Sequence, residues 1–231
     1  MAQRLSGIRS GNVTHLQHVL MYSLYGLAHG QLWRIFTPNL TNGPALFDVL
    51  RPPGVGHLLT NVLGLLAAGP AVERRLGSLR YMAVFIVSGA VAYGWLVLPL
   101  PPSDFFDGTS GALYGVFGAL AVLTFMDHPR TRRDRIYLAL IGLFALVGFS
   151  SIVSNLTREI HGGGLMAGIA LTLLFERCGR SIVAVGSAVV VIGALCGVVA
   201  LRTPEIKQMD ARLHPHPESA LGRPHLEAMR R

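Results

Sequence analysis

Residues 108–126 read GTSGALYGVFGALAVLTFM. A serine sits between glycines, and the run that follows, Ala112 to Met126, carries no charge. From Ser110 onward the stretch reaches the lower limit of a transmembrane helix, about 17 residues. A serine at the mouth of such a helix has two readings. Small residues let membrane helices approach closely, so Gly108, Ser110 and Gly111 can be a packing device. The hydroxyl can also be a nucleophile. The tetrapeptide alone favours packing, because short motifs match by accident. The deciding residues lie in two other apolar segments: His57 with Asn61, and His161 with Gly164 and Gly168.

The bulk numbers support a membrane reading. Of 231 residues 51% are hydrophobic and 14% charged, and the mean hydropathy is +0.48. Those values lie outside the range of ordinary soluble domains. The net charge of +8 does not indicate nucleic acid, because the arginines cluster in short loops between apolar spans. The two cysteines, Cys178 and Cys196, build neither a disulfide framework nor a metal site. No cofactor is called for. Residues 1–14 are polar and lack the apolar core of a signal peptide.

The expected organisation is all-α, a polytopic transmembrane helix bundle. Residues 1–15 form a polar lead. Leu16 to Gly30 is moderately apolar but interrupted by His18, Ser23 and His29, and reads as a short or interfacial helix, or an incomplete first span. A long loop with Trp33, Arg34 and four prolines follows. Apolar spans then run over His57 to Val72, Leu79 to Leu98, Ser110 to Met126, Ile136 to Val153, His161 to Phe175 and Ser181 to Leu201. Asn155 to Ile160 reads as a polar break. Residues 16–176 make the membrane domain and 181–201 an additional helix. Residues 202–231, polar and mixed in charge, are expected to be a disordered tail. Helices follow because lipid offers the backbone no other partners outside a closed barrel.

Arg74, Arg75 and Arg80 mark one loop as cytoplasmic; Arg130, Arg132, Arg133 and Arg135 mark a second, and Arg177 with Arg180 a third. The helices that open at His57, Ser110 and His161 therefore all run inward from the outer face. Each begins with a polar residue that an apolar helix does not need, and such groups usually face a bundle interior. His57 and Asn61 share a helix face, as do Ser110 and Tyr114. Gly111, Gly115 and Gly118 form one small-residue stripe, Gly164 and Gly168 another. Packing the two stripes together brings Ser110 toward His161. Imidazole suits the task of removing a serine proton at neutral pH. Backbone N–H groups at the start of the Ser110 helix, with Asn61 and His57, can meet the negative charge that develops on an attacked carbonyl. No aspartate is placed to orient His161, so the pattern is a Ser–His dyad.

These residues resemble the rhomboid intramembrane serine proteases over roughly Gln31 to Phe175. Trp33-Arg34 matches the Trp-Arg pair of the family's long first loop. His57 and Asn61 match its His-x-x-x-Asn. Glu73, Gly77 and Ser78 match its Glu-x-x-x-Gly-Ser turn. Gly108-Thr109-Ser110-Gly111 matches Gly-x-Ser-Gly, with Tyr114 in place. His161, Gly164 and Gly168 match the histidine helix. The motifs occur in the family's order. The resemblance implies a six-helix core, here with a short or incomplete first helix and an extra C-terminal one. It implies Ser110 as nucleophile and His161 as base, with Tyr114 stacked beside His161. His57, Asn61 and the Ser110 N–H would form an oxyanion hole, with Gly108 supporting it. Trp33 and Arg34 would be structural in the first loop, and Glu73 with Gly77 would hold a cytoplasmic turn.

The substrates implied are transmembrane proteins, cut near the outer face of a bacterial inner membrane. The alternative is a rhomboid-like protein that binds membrane clients without cutting them. The Ser110/His161 pair argues for the first, since a non-catalytic relative has no physical need of both. A transporter would need buried charges or a broken helix near the midplane, which the spans lack. One departure stands out. Ile160 precedes the histidine where the family usually has a small residue, and the expectation is a looser approach of the two helices.

Overall fold

A computed structural model describes residues 19–41, 55–95, 105–126, 131–150, 155–178 and 181–213. They form a helical bundle. Strand β1 (Tyr22–Ser23) and helix α1 (Leu24–Ala28) come first, followed by 3₁₀ turns at Leu32–Ile35 and Thr37–Leu40. Then come α2 (Val55–Leu76), α3 (Ser78–Gly94), strand β2 (Phe105–Phe106), α4 (Ser110–Met126), α5 (Arg132–Gly148), α6 (Asn155–Cys178) and α7 (Ser181–Leu213). The only sheet among the described residues is the antiparallel β1–β2 pair, with Tyr22 opposite Phe106.

Helix α4 is the axis of the bundle. Every residue from Ser110 to Leu120 is buried, as befits a helix that is apolar on all sides. α3 and α6 flank it, and both lie close because its small residues leave no side chain in the way. A Cβ on Gly111 would come within 2.7 Å of Ala92 Cβ on α3, and one on Gly118 within 2.5 Å of the Leu165 carbonyl on α6. The core continues into Leu113, Val116 and Phe117 of α4, Val84 and Val87 of α3, and Leu171 and Phe175 of α6.

The outer faces are apolar as well. On α2, Leu58, Leu59, Val62, Leu63 and Leu66 share one face and are all exposed, as are Ile136, Leu143 and Leu146 on α5. An apolar surface of that extent fits contact with lipid rather than water. Among the described residues no helix is both long and apolar enough to cross a membrane by itself. α3, α4 and α5 each have 17 residues, or about 25 Å at 1.5 Å per residue. α2 and α6 are longer but carry polar ends.

Several boundaries differ from the sequence expectation. The stretch Asn155–Ile160 is not a break but the opening of α6, so His161 lies nearly two turns inside the helix; Arg158 hydrogen-bonds Asn155 across that first turn. α5 starts before Ile136, because Thr131 and Asp134 form a capping box. It stops at Gly148 rather than Val153. Over its described part, Leu16–Gly30 is not one helix; it bends through β1 into the five-residue α1, capped by Ser23 Oγ accepting from Gly26 N at 3.2 Å. α7 runs past Leu201, through Pro204, to Leu213, so the first part of the expected tail is helical. Its Val199 and Ile206 pack with Tyr22, Leu24, Leu27 and Tyr93 in a second apolar cluster.

Between α2 and α3 the chain reverses at Gly77, whose φ of +79° is the left-handed region that suits glycine. Gly77 N donates to Glu73 O at 2.8 Å, and Ser78 Oγ donates to a Glu73 carboxylate oxygen at 2.7 Å. One carboxylate thus helps close the turn that joins two helices.

Candidate active site

Ser110 is the first residue of α4, and the turn before it is held from three directions. Gly108 N donates to Pro38 O at 2.9 Å. Thr109 Oγ1 donates to Asn39 O at 2.8 Å, and Tyr93 Oη donates to Gly108 O at 2.8 Å. Gly108 has φ +138°, and a Cβ there would come within 2.9 Å of His57 Cε1. Both the backbone and the neighbouring imidazole therefore require glycine at this position.

The first loop reaches this turn through its own buried anchors. Arg34 is 3% exposed. Its Nη1 donates to Met21 O at 2.6 Å and its Nε to Gln31 Oε1 at 2.5 Å. The side chain lies across Gly26, where a Cβ would meet its Nε at 2.5 Å. Burial lowers the guanidinium pKa to about 10, which still leaves it charged at neutral pH and bonded to the backbone it organises. Trp33 is half exposed, its Nε1 donating to Val19 O at 3.4 Å. Asn39 packs against α3, where a Cβ on Gly89 would lie 2.6 Å from its amide.

His161 is buried at 6% exposure. Its ring stacks on Tyr114 with centroids 4.1 Å apart and planes 11° from parallel. Tyr114 is one turn below Ser110 on α4, and its hydroxyl donates to Phe144 O at 2.5 Å. Phe149 stands edge-on to both rings. His161 Nδ1 lies 3.1 Å from Gly148 O. A carbonyl oxygen can only accept, so Nδ1 carries a proton, and in the neutral ring it is Nε2 that holds the lone pair. Gly148 is small for the same reason: a Cβ there would overlap the Tyr114 hydroxyl and sit 2.9 Å from His161 Nδ1.

The two glycine stripes meet. A Cβ on Gly164 would fall inside the Gly111 carbonyl, and one on Gly168 inside the Gly115 carbonyl. Ile160 does not pry α6 away from α4. It is 6% exposed, joins the cluster with Tyr22 and Ala92, and lies against Gly111, whose missing Cβ makes room for it. His57 and Asn61 lie a turn apart on α2, Asn61 at 4% exposure and His57 beside Gly108. No hydrogen bond between Ser110 Oγ and His161 is formed among the described residues. Catalytic pairs are commonly loose without substrate and tighten with it.

Sequence reasoning missed Pro38, Asn39, Tyr93 and Gly148. Each acts through a backbone group or a long-range bond, and none stands in a spacing that marks it. Among the described residues no three His, Cys, Asp or Glu side chains converge on a metal position. The arrangement offers a buried hydroxyl at a helix N-terminus, an imidazole whose Nδ1 is committed to a backbone carbonyl, and an amide and a second imidazole on the facing helix. Those are the parts for attack on a carbonyl and for holding the resulting oxyanion.

A family model described as Rhomboid domain matches residues 29–178. The Rhomboid protease GluP of Bacillus subtilis is 30% identical over 145 residues, which make 62% of this chain and 26% of that protein. The YdcA protein of the same organism is 29% identical over 149 residues, 64% of this chain and 70% of its own length. The Rhomboid protease AarA of Providencia stuartii is 26% identical over 143 residues, covering 52% of this chain and half of AarA. The chain thus spans about a quarter of GluP and half of AarA.

Proposed function

The chain belongs to the rhomboid family of integral membrane proteins, and we propose that it is an intramembrane serine protease whose nucleophile is Ser110 and whose base is His161. The observation that carries this reading is the tautomer of His161. With Nδ1 donating to Gly148 O, the lone pair on Nε2 is available to take the Ser110 proton. Tyr114 holds the ring in its plane. Ser110 then attacks the substrate carbonyl, forming an ester and expelling the amine, which takes the proton from His161. Water, activated by the same imidazole, hydrolyses the ester. The oxyanion of each step is met by the Ser110 N–H, at the positive end of α4, and by Asn61 and His57.

The substrates are membrane-spanning proteins cut near the outer face of a bacterial plasma membrane. The sequence clusters of Arg74, Arg75 and Arg80, and of Arg130, Arg132, Arg133 and Arg135, support that orientation. The alternative, a client-binding relative without activity, gives no reason for a buried histidine whose Nδ1 is bonded to Gly148 O and whose ring stacks on Tyr114, one turn below Ser110.

The test is cleavage of a panel of single-span reporters by the purified full chain in lipid, read by product size. At least one reporter should be cut, at a bond near its outer boundary. Asn61→Ala should cut the same reporter about 10²–10³-fold more slowly, the loss expected for one oxyanion donor. A reporter panel left intact by correctly inserted protein favours the binding reading.

A further inference from the structure

At the end of α4 remote from Ser110 lies a cavity of about 170 Å³, and three arginines line it. Arg74 and Arg75 come from the last turn of α2 and Arg133 from the first turn of α5. The positive-inside rule asks for arginines near these helix ends. It does not ask that two separate turns aim them into one concavity. Local preference does not explain Arg133 either, since a cation in the first turn of a helix opposes the helix dipole. It is nonetheless held in place: its Nε donates to Tyr137 Oη at 2.9 Å, and its guanidinium carbon lies 5.4 Å from that ring's centre. Asp134 is the single carboxylate in the lining and accepts from Thr131 N at 2.5 Å and Thr131 Oγ1 at 2.9 Å, so three guanidinium groups face the cavity against one carboxylate.

The floor has different chemistry. Leu120 and Leu123 are buried there, with the Thr124 side chain at 3% exposure. Leu66 on α2 and Ile136 on α5 lie exposed on the outer faces of the two helices that flank the cavity. A free anion needs the arginines but not an apolar floor. A lipid uses both: its phosphate meets the guanidinium forks and its chain continues along apolar surface. We propose that this cavity binds the phosphate headgroup of an anionic membrane lipid, which joins the end of α2 to the start of α5. Basic pockets between membrane helices at the cytoplasmic side have this use.

The experiment measures lipid retention by native mass spectrometry of the full chain in detergent. The probes are phosphatidylglycerol, phosphatidylcholine and inorganic phosphate, titrated in parallel. Phosphatidylglycerol should bind tightest and raise the thermal midpoint. Arg74→Gln with Arg133→Gln should weaken it roughly fivefold per arginine removed. Arg132→Gln with Arg135→Gln, on the same turn but outside the cavity lining, should leave it unchanged. Should the first pair fold poorly, Arg74→Lys with Arg133→Lys keeps the charge, loses the fork, and should still weaken binding. Equal retention of phosphatidylcholine, a matching midpoint rise with inorganic phosphate, or equal loss in the control pair would each overturn the proposal. None of these readings depends on proteolysis.

Discussion

Ser110→Ala is expected to lower cleavage of a membrane reporter by about 10⁴-fold or more, and His161→Ala by a similar factor. The double variant should be little worse than either alone, because a nucleophile and its base act as one unit. The hydroxyl without the imidazole keeps its proton, and the imidazole without the hydroxyl has nothing to activate. Tyr114 and Gly148 make the prediction sharper for this chain. Together they fix one ring orientation and one tautomer through a stack at 4.1 Å and a bond at 3.1 Å. The measurement is the initial rate of reporter cleavage for all four proteins at matched insertion. Losses that multiply in the double variant would mean that the two residues act independently. Full activity in Ser110→Ala would end the protease reading.

Gly164→Val is expected to cost on the order of 10²-fold in rate while leaving insertion and topology intact. A valine there has no space, since even its Cβ would fall inside the Gly111 carbonyl. The obstruction is backbone, which cannot rotate away as a side chain tip can. The helices must separate, and a shift of about 1 Å at a reacting pair costs on that order. Contact between membrane helices is held mainly by packing, so little compensates for the lost fit. Gly193→Val is the matched control, because a Cβ at Gly193 meets nothing within 4 Å. The two variants should differ widely in rate and little in abundance. Equal, full activity in both would mean that the α4–α6 contact does not set the position of His161.

What the sequence makes legible follows from periodicity. Glycines four apart on two apolar runs, Gly111 with Gly115 and Gly164 with Gly168, mark where backbones can touch, and α4 begins where its uncharged run begins. The helix ends are less legible. Asn155 to Ile160 looks like a loop because its residues are polar. A membrane helix can extend a turn or two beyond the apolar layer without changing its backbone, and α6 does. α7 likewise continues past the charge at Arg202, since Ile206 returns to an apolar cluster with Tyr22 and Leu24. The support of the Ser110 turn is not legible at all. Thr109 bonds Asn39 across 70 positions of sequence, through a backbone oxygen that carries no residue identity. Gly148 reads as one more glycine in an apolar span until the Tyr114 hydroxyl and His161 Nδ1 are seen crowding the place its Cβ would take.

The central claim is that Ser110 is a nucleophile activated by His161 inside the bundle. The most direct measurement is covalent labelling of the intact protein in lipid with a serine-directed fluorophosphonate, located by peptide mass spectrometry. The account predicts a single modified residue, Ser110, whose labelling is lost in His161→Ala and kept in Gly193→Val. Ser110 left unlabelled in folded protein, or labelled as fast without His161 as with it, would contradict it.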